Sequence, residues 1–225
     1  MAAFWLGGVA LLAVCDWISV WRCWHLGEII FKPATLIALT AWFIVASGLR
    51  APAGWFAAGL VFSLAGDILL MLPEHFFMGG LVAFLAAHLA YIAGFNQSLP
   101  PLTLLGLLMA AALMGAAFLL YRRVSGALTR RKSPAALRYG VLVYSLALTL
   151  MSLSAVLNLT RPGWSILPAL LVAVGGLFFF ASDSLLALDR FVAPIRGGKL
   201  LVHATYHLGQ IGLMLGIASH LAGAF

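Results

Sequence analysis

The sequence predicts an all-α fold, a polytopic membrane bundle of eight transmembrane helices. Of the 225 residues, 64% are hydrophobic and only 8% are charged, and the mean hydropathy is +1.10. A soluble domain is about half apolar and about one quarter charged, so this composition excludes a soluble enzyme and a disordered chain. The net charge of +7 comes from 13 basic residues scattered among apolar runs, which also argues against a nucleic-acid-binding surface.

Eight apolar runs are long enough to cross a bilayer, which takes ~20 residues of helix. They cover residues 2–21, 30–47, 54–72, 77–95, 101–121, 140–158, 164–188 and 200–222. Short segments rich in proline and glycine, such as Arg161-Pro162-Gly163, separate them. Lys32 and Pro33 lie in the first turn of the second run, which is a position where proline is favoured. We therefore expect one integral membrane domain over residues 1–225, with the first run retained as a helix rather than cleaved as a signal peptide.

The basic residues are divided unequally between the two sides of this bundle. Eleven follow odd-numbered runs, against two on the other side, Arg50 and Arg161. The eleven are Arg22, Lys32, Arg122, Arg123, Arg130, Arg131, Lys132, Arg138, Arg190, Arg196 and Lys199. The positive-inside rule then places the odd-numbered loops in the cytoplasm and both termini outside. We expect an integral protein of a bacterial inner membrane. The basic loop 122–138 is either an orientation signal alone or a contact for anionic lipid headgroups.

An internal repeat relates the third run to the seventh. Residues 62–72 (FSLAGDILLML) and 178–188 (FFFASDSLLAL) are identical at six positions with an offset of 116. The His88-Leu89-Ala90-Tyr91 segment likewise resembles His203-Ala204-Thr205-Tyr206. This pattern predicts two parallel four-helix repeats, residues 1–95 and 101–222, related by an axis along the membrane normal.

The repeat brings two acidic residues to the same depth. Asp67 and Asp183 each precede the cytoplasmic end of a run by about five residues, or ~8 Å. An ionised carboxylate is costly in hydrocarbon, so an intramembrane Asp indicates a functional site unless a neighbouring helix caps it. Two carboxyls sharing one site favour one protonated acid beside one carboxylate, the pair that many hydrolases use. We therefore predict that these two residues are catalytic.

Other acidic and basic residues allow two interpretations. Asp16 lies late in the first run, where it is either solvated at the interface or part of the site. The remaining acids fall in predicted loops, where solvation explains them: Glu28, Glu74 and Asp189. Lys32 either extends toward the headgroups or binds a substrate phosphate at the cytoplasmic mouth.

Several uncharged polar residues lie on helix faces that could line the same site. The fourth run presents Phe77, Gly80, Phe84, His88 and Tyr91 on one face. The other candidates to bind substrate or orient the carboxyls are Ser63, Ser182, Tyr206 and Gln210. His203 and His207 are spaced i, i+4 and with His88 could bind zinc, which would resemble the alkaline ceramidases.

Five motifs in order resemble the YhhN family, which includes the TMEM86 lysoplasmalogenases. They are Lys32-Pro33, Gly66-Asp67, Phe77-x-x-Gly80-x-x-x-Phe84-x-x-x-His88-x-x-Tyr91, Ser182-Asp183-x-x-Leu186-Ala187 and Tyr206-x-x-x-Gln210. The resemblance covers residues 30–215 and departs at His207, where the family is expected to favour a second tyrosine.

The resemblance implies a function in ether-lipid metabolism. A lysoplasmalogenase hydrolyses the vinyl ether bond of a lysophospholipid to a fatty aldehyde and glycerophosphocholine or glycerophosphoethanolamine. Such a reaction needs an acid that protonates the double bond and a carboxylate that stabilises the resulting oxocarbenium ion, as in glycosidases. It requires no metal or organic cofactor. The alternatives are a zinc-dependent lipid hydrolase and a non-enzymatic lipid or small-molecule transporter. The oligomeric state does not follow from the sequence.

Overall fold

The structure is a computed structural model that describes residues 2–223, with side chains described from Trp5 onward. It contains eight long α-helices: α1 (Ala2–Trp21), α2 (His25–Ser47), α3 (Ala53–Met71), α4 (Phe77–Phe95), α5 (Leu104–Arg130), α6 (Ala135–Val156), α7 (Ile166–Ala187) and α8 (Gly198–Gly223). A 3₁₀ turn precedes α4 at Glu74–Phe76, another follows α6 at Leu157–Thr160, and a π-helical turn extends α7 through Leu188–Val192. The described residues contain no β-strand, and the predicted all-α fold is confirmed.

Three predicted boundaries are wrong by five residues or more: the starts of α2 and α6 (Ala135 rather than residue 140) and the end of α5. The helix α2 begins at His25, so Lys32 and Pro33 lie inside the helix and not in its first turn. Proline there has no N–H to donate, which leaves one carbonyl of the preceding turn without its helical partner. The helix α5 continues to Arg130, so most of the predicted basic loop 122–138 is helical. Hydropathy marks the apolar part of a helix rather than its end, and Val124 and Leu128 on this extension pack against Phe191.

The surface of the bundle is that of an integral membrane protein. Seven helices are long and apolar enough to cross a membrane, and the described part of the first, Trp5–Trp21, is a shorter apolar helix. Large apolar side chains such as Leu11, Val45 and Leu119 are more than half exposed, and many others on the outer helix faces are exposed too. A soluble monomer rarely exposes so extensive an apolar surface.

The helices α7 and α8 approach each other most closely along a glycine contact. A Cβ atom at Gly175 would lie 2.5 Å from the backbone nitrogen of Leu213, and one at Gly209 would lie 2.9 Å from the backbone nitrogen of Phe179. Small residues of this kind allow helix backbones to meet inside a membrane. The contact fixes the start of α8 beside the end of α7, where the polar residues lie. The proposed four-helix repeats are still a prediction.

The opposite end of the bundle is held by a buried arginine. Arg161 follows α6 and is 9% exposed. Its guanidinium donates hydrogen bonds to the carbonyl oxygens of Ser98 at 2.7 Å and Phe95 at 3.0 Å. These bonds satisfy acceptors at and beyond the C-terminus of α4, which would otherwise have no helical donor. Arg161 therefore has a structural role far from the acidic residues.

Candidate active site

A cavity lies between the helices at the end that carries most of the basic residues. Its walls are mainly apolar side chains of α4, α5, α6 and α7, including Phe84, Leu120, Leu148 and Phe180. Four charged residues line it: Lys32, Asp67, Asp183 and Arg190. The cavity therefore brings the two predicted catalytic residues to one space, although they belong to different helices.

Asp67 is fully buried on α3, four residues before the end of the helix. Its Oδ1 atom lies 3.0 Å from the Lys32 ammonium of α2, and its Oδ2 atom accepts a 2.8 Å hydrogen bond from the Tyr206 hydroxyl of α8. Lys32 is itself 8% exposed and lies 5.6 Å from the centre of the Tyr206 ring. The lysine therefore acts as the counter-ion of Asp67 and does not extend to the headgroups.

Asp183 occupies the matching position, four residues before the end of α7, but has different partners. Its Oδ2 atom accepts a short hydrogen bond from the Tyr144 hydroxyl of α6 and lies 3.4 Å from Nε2 of His88. The His88 Nε2 atom is also 3.1 Å from the Tyr144 oxygen. Tyr144 was not predicted as a site residue, although a lone tyrosine in an apolar run is a signal that could have been followed.

A chain of polar side chains leads from α4 to Asp67. The Tyr91 hydroxyl donates to Oε1 of Gln210 at 2.8 Å, and the Gln210 amide donates to the Tyr206 oxygen at 3.5 Å. Tyr91, Tyr206 and Gln210 are each at most 3% exposed. The rings of both tyrosines pack against Phe179, which makes an edge contact with each of them. The chain fixes the hydroxyl that bonds Asp67.

The two predicted serines lie beside the aspartates. Ser63 is fully buried on α3, one helical turn before Asp67. Ser182 precedes Asp183, lines the cavity and donates a 3.0 Å hydrogen bond to the Val202 carbonyl of α8. Gly66, next to Asp67, leaves space for the Phe84 ring, because a Cβ atom at this position would lie 2.5 Å from that ring. Small residues therefore flank both carboxyls.

A second polar cluster lies on the other side of α8, and the sequence interpretation missed it. Asp16 is fully buried and its Oδ2 atom is 2.7 Å from Nδ1 of His203, so the expectation that it is solvated at the interface is wrong. Glu28 is not in a loop, because α2 begins earlier than predicted. It is 7% exposed, receives Lys199 at 2.6 Å and lies 3.7 Å from Nε2 of His203. The three elements α1, α2 and α8 are therefore joined by charged groups.

The three-histidine zinc set that the sequence left open as an alternative is not assembled. His88 lies with Asp183 and Tyr144, whereas His203 contacts Asp16 and His207 accepts a 3.1 Å hydrogen bond from the indole of Trp17. Among the described residues, no group of three or more His, Cys, Asp or Glu side chains is arranged to hold one metal ion. The geometry of the donors therefore disagrees with the ceramidase-like alternative.

The fold and the site define a polytopic α-helical membrane protein with two buried carboxyl groups in an apolar intramembrane cavity. A family model narrows this class. The model of the YhhN family matches residues 27–217, and the chain belongs to that family. The family suggested by the sequence motifs is thereby confirmed.

Curated relatives cover much of the chain. Lysoplasmalogenase TMEM86A of Homo sapiens is 35% identical over 159 residues, which are 68% of this chain and 60% of that protein. Lysoplasmalogenase TMEM86A of Bos taurus is 31% identical over 163 residues, 70% of this chain and 62% of that protein. Lysoplasmalogenase TMEM86B of Sus scrofa is 33% identical over 159 residues, 71% of this chain and 61% of that protein. The chain thus spans about three fifths of the length of these relatives. No solved structure matches it.

Proposed function

We propose that this protein is a membrane hydrolase that cleaves the vinyl ether bond of a lysoplasmalogen. The products are a fatty aldehyde and glycerophosphocholine or glycerophosphoethanolamine. The names of the relatives support this substrate class. The single observation that carries the proposal is that Asp67 and Asp183, on separate helices, line one largely apolar cavity.

The chemistry of a vinyl ether explains why two carboxyl groups are useful. A proton is added to the β-carbon of the double bond, and the resulting oxocarbenium ion is attacked by water. The hemiacetal formed then collapses to the aldehyde and the glycerol hydroxyl. An acid must supply the first proton, and a carboxylate must stabilise the cation and accept a proton from water, as in glycosidases. The proton given up in the later steps restores the acid, so the sum of the reaction is hydrolysis.

We assign the two roles from the neighbours of each carboxyl. Asp67 has the full positive charge of Lys32 at 3.0 Å, which suits a residue that acts as the carboxylate. Asp183 has Tyr144 and His88 as partners, which suits a residue that donates a proton and regains it. In this proposal His88, Tyr91, Tyr206 and Gln210 orient the carboxyls rather than react, and the buried serines Ser63 and Ser182 help to position substrate or water.

The walls of the cavity suit a lipid with one chain. Leu120, Leu148 and Phe180 come from three different helices and leave the lining mostly apolar, with the two carboxyls among a smaller number of polar and charged side chains. Such a pocket binds an aliphatic substrate by burial and orients it with a few polar contacts. The reacting bond would lie between the aspartates, and the alkenyl chain would extend along the apolar walls.

The orientation in the membrane is part of the same proposal. The two aspartates, Lys32 and Arg190 all lie toward the helix ends that carry the basic residues. By the positive-inside rule this end faces the cytoplasm of a bacterial cell, with both termini outside. The substrate would therefore enter from the cytoplasmic leaflet.

The test is aldehyde release by the purified protein in a neutral detergent. The panel contains 1-alkenyl lysophospholipids with choline and ethanolamine headgroups, and matched 1-acyl and saturated 1-alkyl lipids. We expect aldehyde from the alkenyl lipids alone, with one glycerophospho-base released per aldehyde. A transporter would release no aldehyde, and equal cleavage of the acyl lipids would also contradict the proposal.

The same reaction run in H₂¹⁸O tests the mechanism. In the acid-catalysed route water attacks the oxocarbenium carbon, so the bond between that carbon and the ether oxygen breaks and the glycerophospho-base keeps its original oxygen. We expect no ¹⁸O in the glycerophospho-base by mass spectrometry. Incorporation of ¹⁸O there would mean that water attacks the glycerol carbon instead, and would contradict the acid-catalysed route.

A further inference from the structure

The mouth of the cavity is built around an arginine that the catalytic proposal does not use. Arg190 lies in the π-helical turn that follows α7 and lines the same cavity as Asp183. Its guanidinium carbon is 3.9 Å from the centre of the Phe77 ring, and its Nη2 atom is 3.1 Å from Oε1 of Glu74. Its side chain is 34% exposed, so it lies where the cavity meets the surface.

Lys32, the residue that the sequence offered as a phosphate ligand, is already paired with the Asp67 carboxylate. It lies 3.0 Å from Asp67 and is 8% exposed. A phosphate bound by Lys32 would lie against that carboxylate, and like charges at such a distance repel strongly in a medium of low dielectric constant. The other cation that lines the cavity is therefore better placed to receive an anion.

The spacing of Arg190 from Asp183 fits the length of the substrate. Seven residues separate them, which is about 10 Å along a helix. In a lysoplasmalogen seven bonds separate the β-carbon of the vinyl ether from the phosphorus atom, or about 8 Å when extended at ~1.2 Å per bond. A substrate with its double bond at Asp183 would thus bring its phosphate within reach of the guanidinium.

The local charges favour exchange of the present partner for a phosphate. Glu74 is 90% exposed, and an ion pair with so exposed a partner contributes little to stability. Arg131 stabilises the turn that carries Arg190, because its Nη1 atom donates a 3.2 Å hydrogen bond to the backbone carbonyl of Arg190. The Arg190 guanidinium therefore faces one weakly held carboxylate, and a planar guanidinium binds a phosphate through two parallel hydrogen bonds.

We propose that Arg190, aligned by Phe77, is the phosphate-binding residue for the lysolipid headgroup and sets the position of the ether bond at the aspartates. This inference rests on the proposed lysolipid substrate. The two cations of the cavity then have different roles: Lys32 pairs with the Asp67 carboxylate, and Arg190 binds the phosphate of the headgroup.

The test measures binding and needs no turnover, so it is independent of whether the protein hydrolyses a vinyl ether. The ligands are a saturated 1-alkyl glycerophosphocholine and the matching 1-alkylglycerol, which lacks the phosphate. The proteins are wild type, Arg190→Gln, Arg190→Lys and the control Arg123→Gln, whose side chain is exposed on α5 outside the cavity lining. Dissociation constants are measured in neutral detergent micelles, with and without an excess of inorganic phosphate.

We expect Arg190→Gln to raise the Kd of the phospholipid by about 10- to 100-fold, as loss of charged hydrogen bonds does. Arg190→Lys should fall between this variant and wild type, because it keeps the charge and loses the paired geometry. Arg123→Gln and all Kd values for the alkylglycerol should stay within about twofold of wild type.

Three results would overturn the inference. The first is an unchanged phospholipid Kd in Arg190→Gln. The second is an equal loss of affinity for the phospholipid and the alkylglycerol, which would mean that Arg190 contributes to micelle contact or to folding and not to phosphate binding. The third is strong competition by inorganic phosphate, which would indicate a site for free phosphate. Failure of the proposed function looks different, because wild type would then bind lipid and release no aldehyde.

Discussion

The ion pair between Lys32 and Asp67 should be among the most costly contacts to break. The two charged atoms are 3.0 Å apart, and the side chains are only 10% and 1% exposed. At an effective dielectric constant of ~20, two unit charges at this distance attract by about 5.5 kcal/mol. Removing one member of such a buried pair leaves an uncompensated charge and costs ~3–5 kcal/mol. We therefore expect Lys32→Met to lower the free energy of unfolding by that amount.

The chain contains a matched control for this substitution. Lys199 pairs with Glu28 at 2.6 Å, which is shorter, but the lysine side chain is 59% exposed. Solvent screening leaves such a pair worth ~0–1 kcal/mol. Lys199→Met should therefore cost at most about 1 kcal/mol in the same assay, equilibrium denaturation in mixed micelles.

The double variant Lys32→Met with Asp67→Asn completes the experiment. Each single variant leaves one buried charge uncompensated, whereas the double variant leaves neither, so the double variant should be more stable than Lys32→Met and more stable than Asp67→Asn. Equal losses for Lys32→Met and Lys199→Met, or no recovery in the double variant, would refute the reasoning that burial determines the strength of the pair.

Three further predictions concern single contacts. Tyr206→Phe removes the hydroxyl that bonds Asp67 at 2.8 Å, and kcat for aldehyde release should fall about 10- to 100-fold with the KM little changed. Gly175→Ala places a Cβ against the α8 backbone and should cost ~1–3 kcal/mol in unfolding free energy, whereas Gly115→Ala, with nothing within 4 Å, should cost nothing. Arg161→Gln should cost ~1–3 kcal/mol in the same assay, because it removes the donor to the buried Phe95 carbonyl, and should leave the KM unchanged.

The sequence predicted the helices well because each transmembrane segment carries its own signal. A run such as 77–95 is set by apolar length alone, and the observed helix has the same limits. The scarcity of charge likewise singled out Asp67 and Asp183, since a carboxyl in hydrocarbon is costly wherever its partners lie. Both properties belong to one stretch of chain and need no knowledge of how the helices pack.

The partners of those carboxyls depend on packing and were predicted less well. Tyr144 bonds Asp183 from 39 residues away, and a tyrosine in an apolar run does not show which carboxyl group it will meet. Glu28 was placed in a solvated loop and Asp16 was left open between the interface and the site, yet α8 covers both and brings His203 between them. Local periodicity cannot show which face of a neighbouring helix will cover a polar residue.

The most direct test of the account is aldehyde release by Asp67→Asn and Asp183→Asn, with Asp189→Asn as a matched control. Asp189 accepts a hydrogen bond from the Ile195 backbone at 2.6 Å and does not line the cavity, and an asparagine oxygen can accept the same bond. For proteins that elute as folded and bind the saturated ether lipid, we expect each site variant to lose more than ~100-fold in activity, as loss of a general acid or base does. The control should keep wild-type activity. Full activity in either folded site variant would contradict the assignment of a catalytic aspartate pair.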